Sequence, residues 1–146
     1  MSPASCGGDS DMPLEHRIDH HLRVVFTRGT GTLTDAEVSA YQRGVWLRPE
    51  VAGYDELVDM SDVERVTDAS PPRVMRLASL SDGMDARAPA RRFAIVAPRD
   101  FEFGLGRMYG AHREMDSRST KRVGVFRTRP VALAWLGLDH EAAGGP

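Results

Sequence analysis

Cysteine is almost missing from this chain of 146 residues, where Cys6 stands alone. An intrachain disulfide and a metal centre built on several thiolates are therefore excluded. Long apolar runs are lacking too, and no stretch approaches the ~20 residues that a membrane span requires. The first dozen residues carry neither a basic start nor an apolar segment, so no secretory signal is expected there and the expected compartment is cytoplasmic. Neither sign of charge dominates: 19 basic residues face 21 acidic ones, for a formal net charge of −2. No global field draws the molecule toward nucleic acid. Lysine is nearly absent, because Lys121 is its single occurrence among the basic residues. That arginine bias is associated with GC-rich bacterial genomes. The basic clusters "RAPARR" and "RSTKR" are balanced by scattered acids and read as solvated loops.

What is present fits one globular domain. Apolar residues make up 41% of the chain and charged residues 27%, and this length suffices to bury a sizeable core. Residues 1–12 are poor in apolar side chains and read as a disordered tail. Residues 13–138 carry the periodic pattern of a single domain, and residues 139–146 read as a second flexible tail.

The pattern begins with "LEHRID" and "LRVVFTR", two extended segments meeting at a polar corner near His20, as in a hairpin. Leu22, Val24 and Phe26 alternate on one face of the second segment. A loop, "GTGT", leads to Thr34, which with Glu37 has the spacing of a capping box. Val38, Tyr41, Val45 and Trp46 follow at helical intervals, until Pro49 and Gly53 end that helix. "YDELVDM" reads as a strand, followed by an acidic loop to Ser70. Pro71 then starts a second helix containing Val74, Leu77 and Ala78, with Gly83 as its stop. "RRFAIVA" is a strand apolar on both faces, "RVGVF" is another, and "PVALAWLG" is a final helix.

The order is β-β-α-β-α-β-α-β-α. It predicts an α/β domain with a mostly parallel five-stranded sheet and one antiparallel edge strand. Sequential right-handed crossovers place the helices on one face. Val25, Leu57, Val96 and Phe126 are then candidates for the opposite face, which needs the final helix, a partner or a second copy of the chain to cover it. A homodimer is one expected solution.

Between the last two strands lies "FEFGLGRMYGAHRE", whose glycines imitate a dinucleotide fingerprint. In that fingerprint the first glycine follows the strand directly. Here "PRDFEF" intervenes, and Asp100 is already a good N-cap. The segment therefore reads as a helix, with Phe101, Leu105, Met108, Tyr109, His112 and Met115 on its apolar stripe. Gly106 and Gly110, four apart, leave a smooth ridge on which another element can press closely. No cofactor is expected.

The segments "VVFTRGTGTLTDAEVSAY", "GYDELVDMSDV", "FAIVAPRDFEFGLGRMY" and "VGVFRTRPVALAWL" resemble the STAS-like superfamily, the sulfate-transporter and anti-sigma-factor-antagonist domains. They are similar in particular to small bacterial proteins related both to that fold and to CRAL-TRIO lipid-transfer domains. The resemblance implies a STAS-like fold and a non-enzymatic regulatory or protein-interaction module. A kinase or sigma-factor regulator is the implied protein partner. In the anti-sigma-factor antagonists an Asp-Ser-Ser-Gly turn presents a phosphorylatable serine at the second helix. Here "VDMSDVERVTDASPP" aligns Asp68 and Ser70 with that motif only through an extra residue, with Ala69 and Pro71 as departures. Ser70 is thus a candidate phosphosite, or simply a helix N-cap. The lipid-transfer relationship implies an alternative, a carrier of a lipid or other small apolar ligand in which Met75, Met108, Tyr109 and Met115 line a cavity. The same methionines also serve as adaptable core filler.

Other constellations are weaker. Asp55 and Asp59 share one face of their strand but stand ~13 Å apart, too far for one metal. Asp59 and Asp62 converge at the strand's end, where a solvated rim is the plainer role. Arg107 forks onto one of those aspartates or onto an anionic ligand, so Asp59, Asp62, Arg107 and Tyr109 form the candidate ligand or ion-pair site. His16, His20 and His21 lack the partners of a tetrahedral metal site. No nucleophile stands near an obvious base, and no enzymatic activity is expected.

Overall fold

A computed structural model of the chain describes residues 14–46, 48–67, 70, 72–73, 92–115 and 122–138. Strand β1 (Leu14–Asp19) turns into β2 (Val24–Leu33). The Leu22 N–H donates to the Asp19 carboxylate at 2.9 Å, and Arg23 takes a positive φ of 60° to complete the corner. Helix α1 (Asp35–Tyr41) begins on the expected capping box: Thr34 accepts from the Glu37 N–H at 3.2 Å, and Glu37 accepts from the Thr34 N–H at 3.0 Å. It runs on into a wider turn, Gln42–Trp46, and a short 3-10 turn, Pro49–Val51. Gly53, at φ 83°, then admits β3 (Asp55–Val66).

The remaining elements are β4 (Arg92–Val96), α2 (Asp100–Met115), β5 (Arg122–Phe126) and α3 (Arg129–Trp135). Pro130 sits in the first turn of α3, where its missing N–H costs nothing. Past its end, Gly137 is left-handed at φ 77° and the Leu138 N–H reaches the Leu133 carbonyl at 2.9 Å, a Schellman closure. The expected second helix falls largely outside the described residues; Pro72 and Arg73 are helical, while Val74, Leu77, Ala78 and Gly83 are not described.

The five strands form one sheet in sequential order, β1 antiparallel to β2 and the others parallel. Strands β2 and β3 are longer than their polar composition suggests. The expected "GTGT" loop is strand, with register shifts between Arg28 and Thr30 and between Gly31 and Thr32. The expected acidic loop after Met60 continues as β3 to Val66. Alternation explains both corrections: Leu33 and Val63 point inward and are buried with Val38 and Tyr41 of α1, while the intervening polar residues face solvent.

Each face of the sheet has its own helical cover. On one face Val58, Phe93, Ile95, Val123 and Val125 pack with α2, and Val25 packs with Val45 and Val51 after α1. On the other, Val24, Phe26, Leu57, Ala94 and Val96 are sealed by Ala132 and Leu133 of α3 and by Leu136 just past its end. Leu57, Val96 and Phe126 occupy this second face as expected. Val25 does not: it is one residue out of phase with Val24 and Phe26, and a shift of one reverses a strand side chain.

Helix α2 is also rotated from its expected stripe. Its buried residues are Glu102, Gly106, Tyr109, Gly110 and Arg113, whereas Phe101 is 57% exposed and Met115 83%. The glycine ridge decides the orientation. A Cβ on Gly106 would lie 3.1 Å from a Val125 methyl, and one on Gly110 would lie 3.2 Å from a Val123 methyl. Gly104 has open space around it. These glycines seat a helix on a strand.

Candidate functional site

Two groups of polar side chains stand out. The first is buried between the sheet and helices α1 and α2. Thr27 on β2 and Glu56 on β3 project from the α1 face, and both are almost wholly buried. The Tyr41 hydroxyl lies between them, hydrogen-bonded to the Thr27 hydroxyl and donating to the Glu56 carboxylate at 2.5 Å. Nearby, the Tyr109 hydroxyl accepts from the Arg113 guanidinium at 2.6 Å and from the Gln42 amide at 3.4 Å. Phe93 meets the Tyr109 ring edge-on at 6.0 Å. A phenol oxygen is well suited to this layer because one group can donate and accept.

The Tyr41 bonds tie α1 to the sheet, and the Gln42–Tyr109 bond ties the turn after α1 to α2. Tyr41→Phe removes the donor to Glu56 and is expected to lower stability by about 1–2 kcal/mol. Thermal denaturation of the variant beside the parent checks this; an unchanged midpoint would contradict it.

The second group lies toward the C-terminal ends of the parallel strands. Arg28 donates to Asp62 at 2.9 Å through Nε, and the pair is half exposed. Hydrogen bonding to Asp62, and then its charge, raises the Arg28 pKa. Asp59 accepts from Arg129 at 3.2 Å and from the Ser61 N–H at 2.9 Å. Arg127 reaches Asp100 at 2.7 Å and the Pro98 carbonyl at 3.0 Å, with its guanidinium 4.0 Å above the Phe103 ring. Asp55, at the opposite end of β3, accepts from the Arg92 N–H at 3.0 Å. Each of these aspartates therefore engages a different arginine.

Of the expected site residues, Asp59 and Asp62 do share this rim, but Arg129 and Arg28 hold them instead of Arg107. Arg107 is exposed on α2. Tyr109 belongs to the buried layer on the other face, so the four residues do not converge. Of the proposed cavity residues, Tyr109 is bonded to Arg113, Met115 is 83% exposed and Met75 lies outside the described residues. Ser70 is exposed beyond the end of β3, just before helical Pro72; Asp68, Ala69 and Pro71 are not described.

Near the hairpin, His20 contacts the Tyr54 hydroxyl at 2.8 Å. Burial and, secondly, the charge of Arg48 lower the His16 pKa. The Leu22 N–H is the main cause of a lowered Asp19 pKa. Among the described residues, no cluster of three or more His, Cys, Asp or Glu side chains could hold a metal, and no helix is long and apolar enough to cross a membrane.

Sequence reasoning missed Glu56 and Arg113. Glu56 carried a signal, since it shares the parity of inward-facing Val58. Arg113 carried one too, four residues after Tyr109 and three after Gly110, on the face that the glycines define.

This arrangement is a SpoIIAA-like α/β fold. It is similar to the crystal structure of an uncharacterised DUF3478-family protein with a SpoIIAA-like fold from Shewanella loihica PV-4. The two superpose with a TM-score of 0.54 at 13% identity, over 84% of this chain and 93% of that one. No family model and no curated protein matches the chain.

Proposed function

We propose that this chain is a non-enzymatic regulatory or protein-interaction module of the STAS-like type, switched at Ser70. The observation that supports the reading is the position of Ser70, exposed past the end of β3 and two residues ahead of helical Pro72 and Arg73. In the anti-sigma-factor antagonists that the chain resembles, the phosphorylatable serine stands between a strand and the second helix. A phosphate there adds negative charge and strong acceptors at the start of the helical segment, where the helix dipole favours an anion although Pro71 and Pro72 have no N–H to donate. The added charge changes which protein surface this segment recognises. A kinase supplies the phosphate, and a sigma-factor regulator is the kind of partner that reads it.

Intact mass after incubation with a source-cell lysate and ATP tests this role. One added phosphate is expected, lost in Ser70→Ala. No added mass, or a phosphate that persists in Ser70→Ala, would overturn the assignment of Ser70. Native mass spectrometry of freshly purified protein distinguishes the alternative: a co-purifying lipid would favour the small apolar-ligand carrier.

A further inference from the structure

Among the described residues β1 forms one end of the sheet and pairs with β2 alone. Its backbone orientation follows from the neighbouring ladder. The Asp55 N–H donates to the Arg23 carbonyl at 3.1 Å, and Val24 stands in parallel register with Asp55. Backbone groups of Val25 and Thr27 therefore point toward β3, and those of Val24, Phe26 and Arg28 toward β1. The latter three face Asp19, Arg17 and Glu15. Leu14, His16 and Ile18 are left with their N–H and C=O groups directed outward from the edge.

We propose that this edge pairs antiparallel with β1 of a second copy of the chain, about a two-fold axis through His16, joining two five-stranded sheets into one. In this register Leu14 faces the partner's Ile18, His16 faces the partner's His16, and Ile18 faces the partner's Leu14. Each facing pair exchanges two backbone hydrogen bonds, so every outward group on the strand is used. Between them Glu15 faces the partner's Arg17, and Arg17 the partner's Glu15, at the closer cross-strand spacing where opposite charges attract.

Charge selects the register. Sliding by two residues in one direction sets Glu15 against the partner's Glu15. Sliding in the other sets Arg17 against the partner's Arg17 and Glu15 against the partner's Asp19. Both place like charges opposite each other. A shift of one residue sets outward backbone groups against inward ones. Glu15, His16 and Arg17 are all exposed. Arg17 lies over the Phe26 ring at 4.8 Å and within 3.6 Å of Asp19, which keeps its guanidinium on the sheet face beside Glu15 and Asp19 of its own strand. Partial desolvation of its ring and the charge of Arg48 favour neutral His16, so the axis brings no pair of like charges together near neutral pH. The inference is independent of the role of Ser70.

Sedimentation velocity of the full chain near neutral pH, from about 1 to 300 µM, is expected to show a monomer–dimer equilibrium, as suits a small interface. Glu15→Arg and Arg17→Glu each place like charges across the axis and are expected to weaken the dimer by on the order of tenfold or more. Mixing the two variants makes every facing pair opposite in charge again, and dimers return. His16→Pro is a second test that keeps the β1–β2 ladder, because the N–H it removes points outward; it is expected to be monomeric. A parent chain monomeric throughout would overturn the proposal. So would folded charge variants that dimerise like the parent or fail to recover on mixing, or a folded His16→Pro variant that still dimerises.

Discussion

Phe26→Ala lowers the unfolding free energy by about 3–5 kcal/mol. Phe26 is 1% exposed and packs with Leu57, Ala94 and the α3 residues Ala132 and Leu133. The Arg17 guanidinium lies 4.8 Å from the centre of its ring and that of Arg129 5.7 Å. Arg129 is in turn held by Asp59 at 3.2 Å. Truncation removes the ring from β2 while hydrogen-bonded strands on both sides keep the gap open, so the cavity collapses little. Urea denaturation measures the loss as a lower midpoint. A cost below about 1 kcal/mol would mean that α3 does not seal this face, since even a partly collapsed site forfeits more.

The second large effect separates glycines that look alike in sequence. Gly106→Val forces methyl groups into a space where a bare Cβ would already stand 3.1 Å from Val125. Overpacking of this kind costs about 3 kcal/mol, at the upper end of the usual range because the opposing valine is β-branched and stiff. Gly104→Ala goes the other way. Its Cβ meets nothing within 4 Å, so the gain in helix preference, about 0.5–1 kcal/mol, is retained. Opposite shifts in the thermal midpoints of these variants are the expected result. Equal shifts would contradict the ridge.

The sequence carried the fold where local chemistry and periodicity agreed. Thr34 and Glu37 announced the start of α1, and both hydrogen bonds of the box are present. Leu57, Val96 and Phe126 disclosed one sheet face, and the spacing of Gly106 and Gly110 disclosed a close approach. The stripe on α2 was harder to read. Its seat consists of glycines, which add no hydropathy, together with Glu102 and Arg113, which subtract it, while exposed Phe101 and Met115 suggest the wrong side. The ends of β2 and β3 were hidden for a related reason. Threonine, serine and acids on their outer faces obscure Leu33 and Val63, whose burial beneath α1 sustains both strands.

The candidate sites were less legible because pairing depends on contacts between distant segments. Asp59 and Arg129 lie 70 residues apart and meet only once the sheet and α3 are assembled. Glu56 and Tyr41 meet across the β2–β3 crossover. Composition reveals the presence of these charges but not their partners, so Arg107, next to the glycines, drew the attention that belongs to Arg129 and Arg28.

Helix α2 is seated on the sheet by Gly106 and Gly110, a close approach that a nucleotide held by these glycines would have to displace. A methyl-edited NOE spectrum recorded with ATP or NAD present tests it most directly. Strong cross-peaks from the Gly106 Hα to the Val125 methyls, and from the Gly110 Hα to the Val123 methyls, are predicted, unchanged by the nucleotide. Their absence, or their replacement by contacts to the nucleotide, would contradict the account.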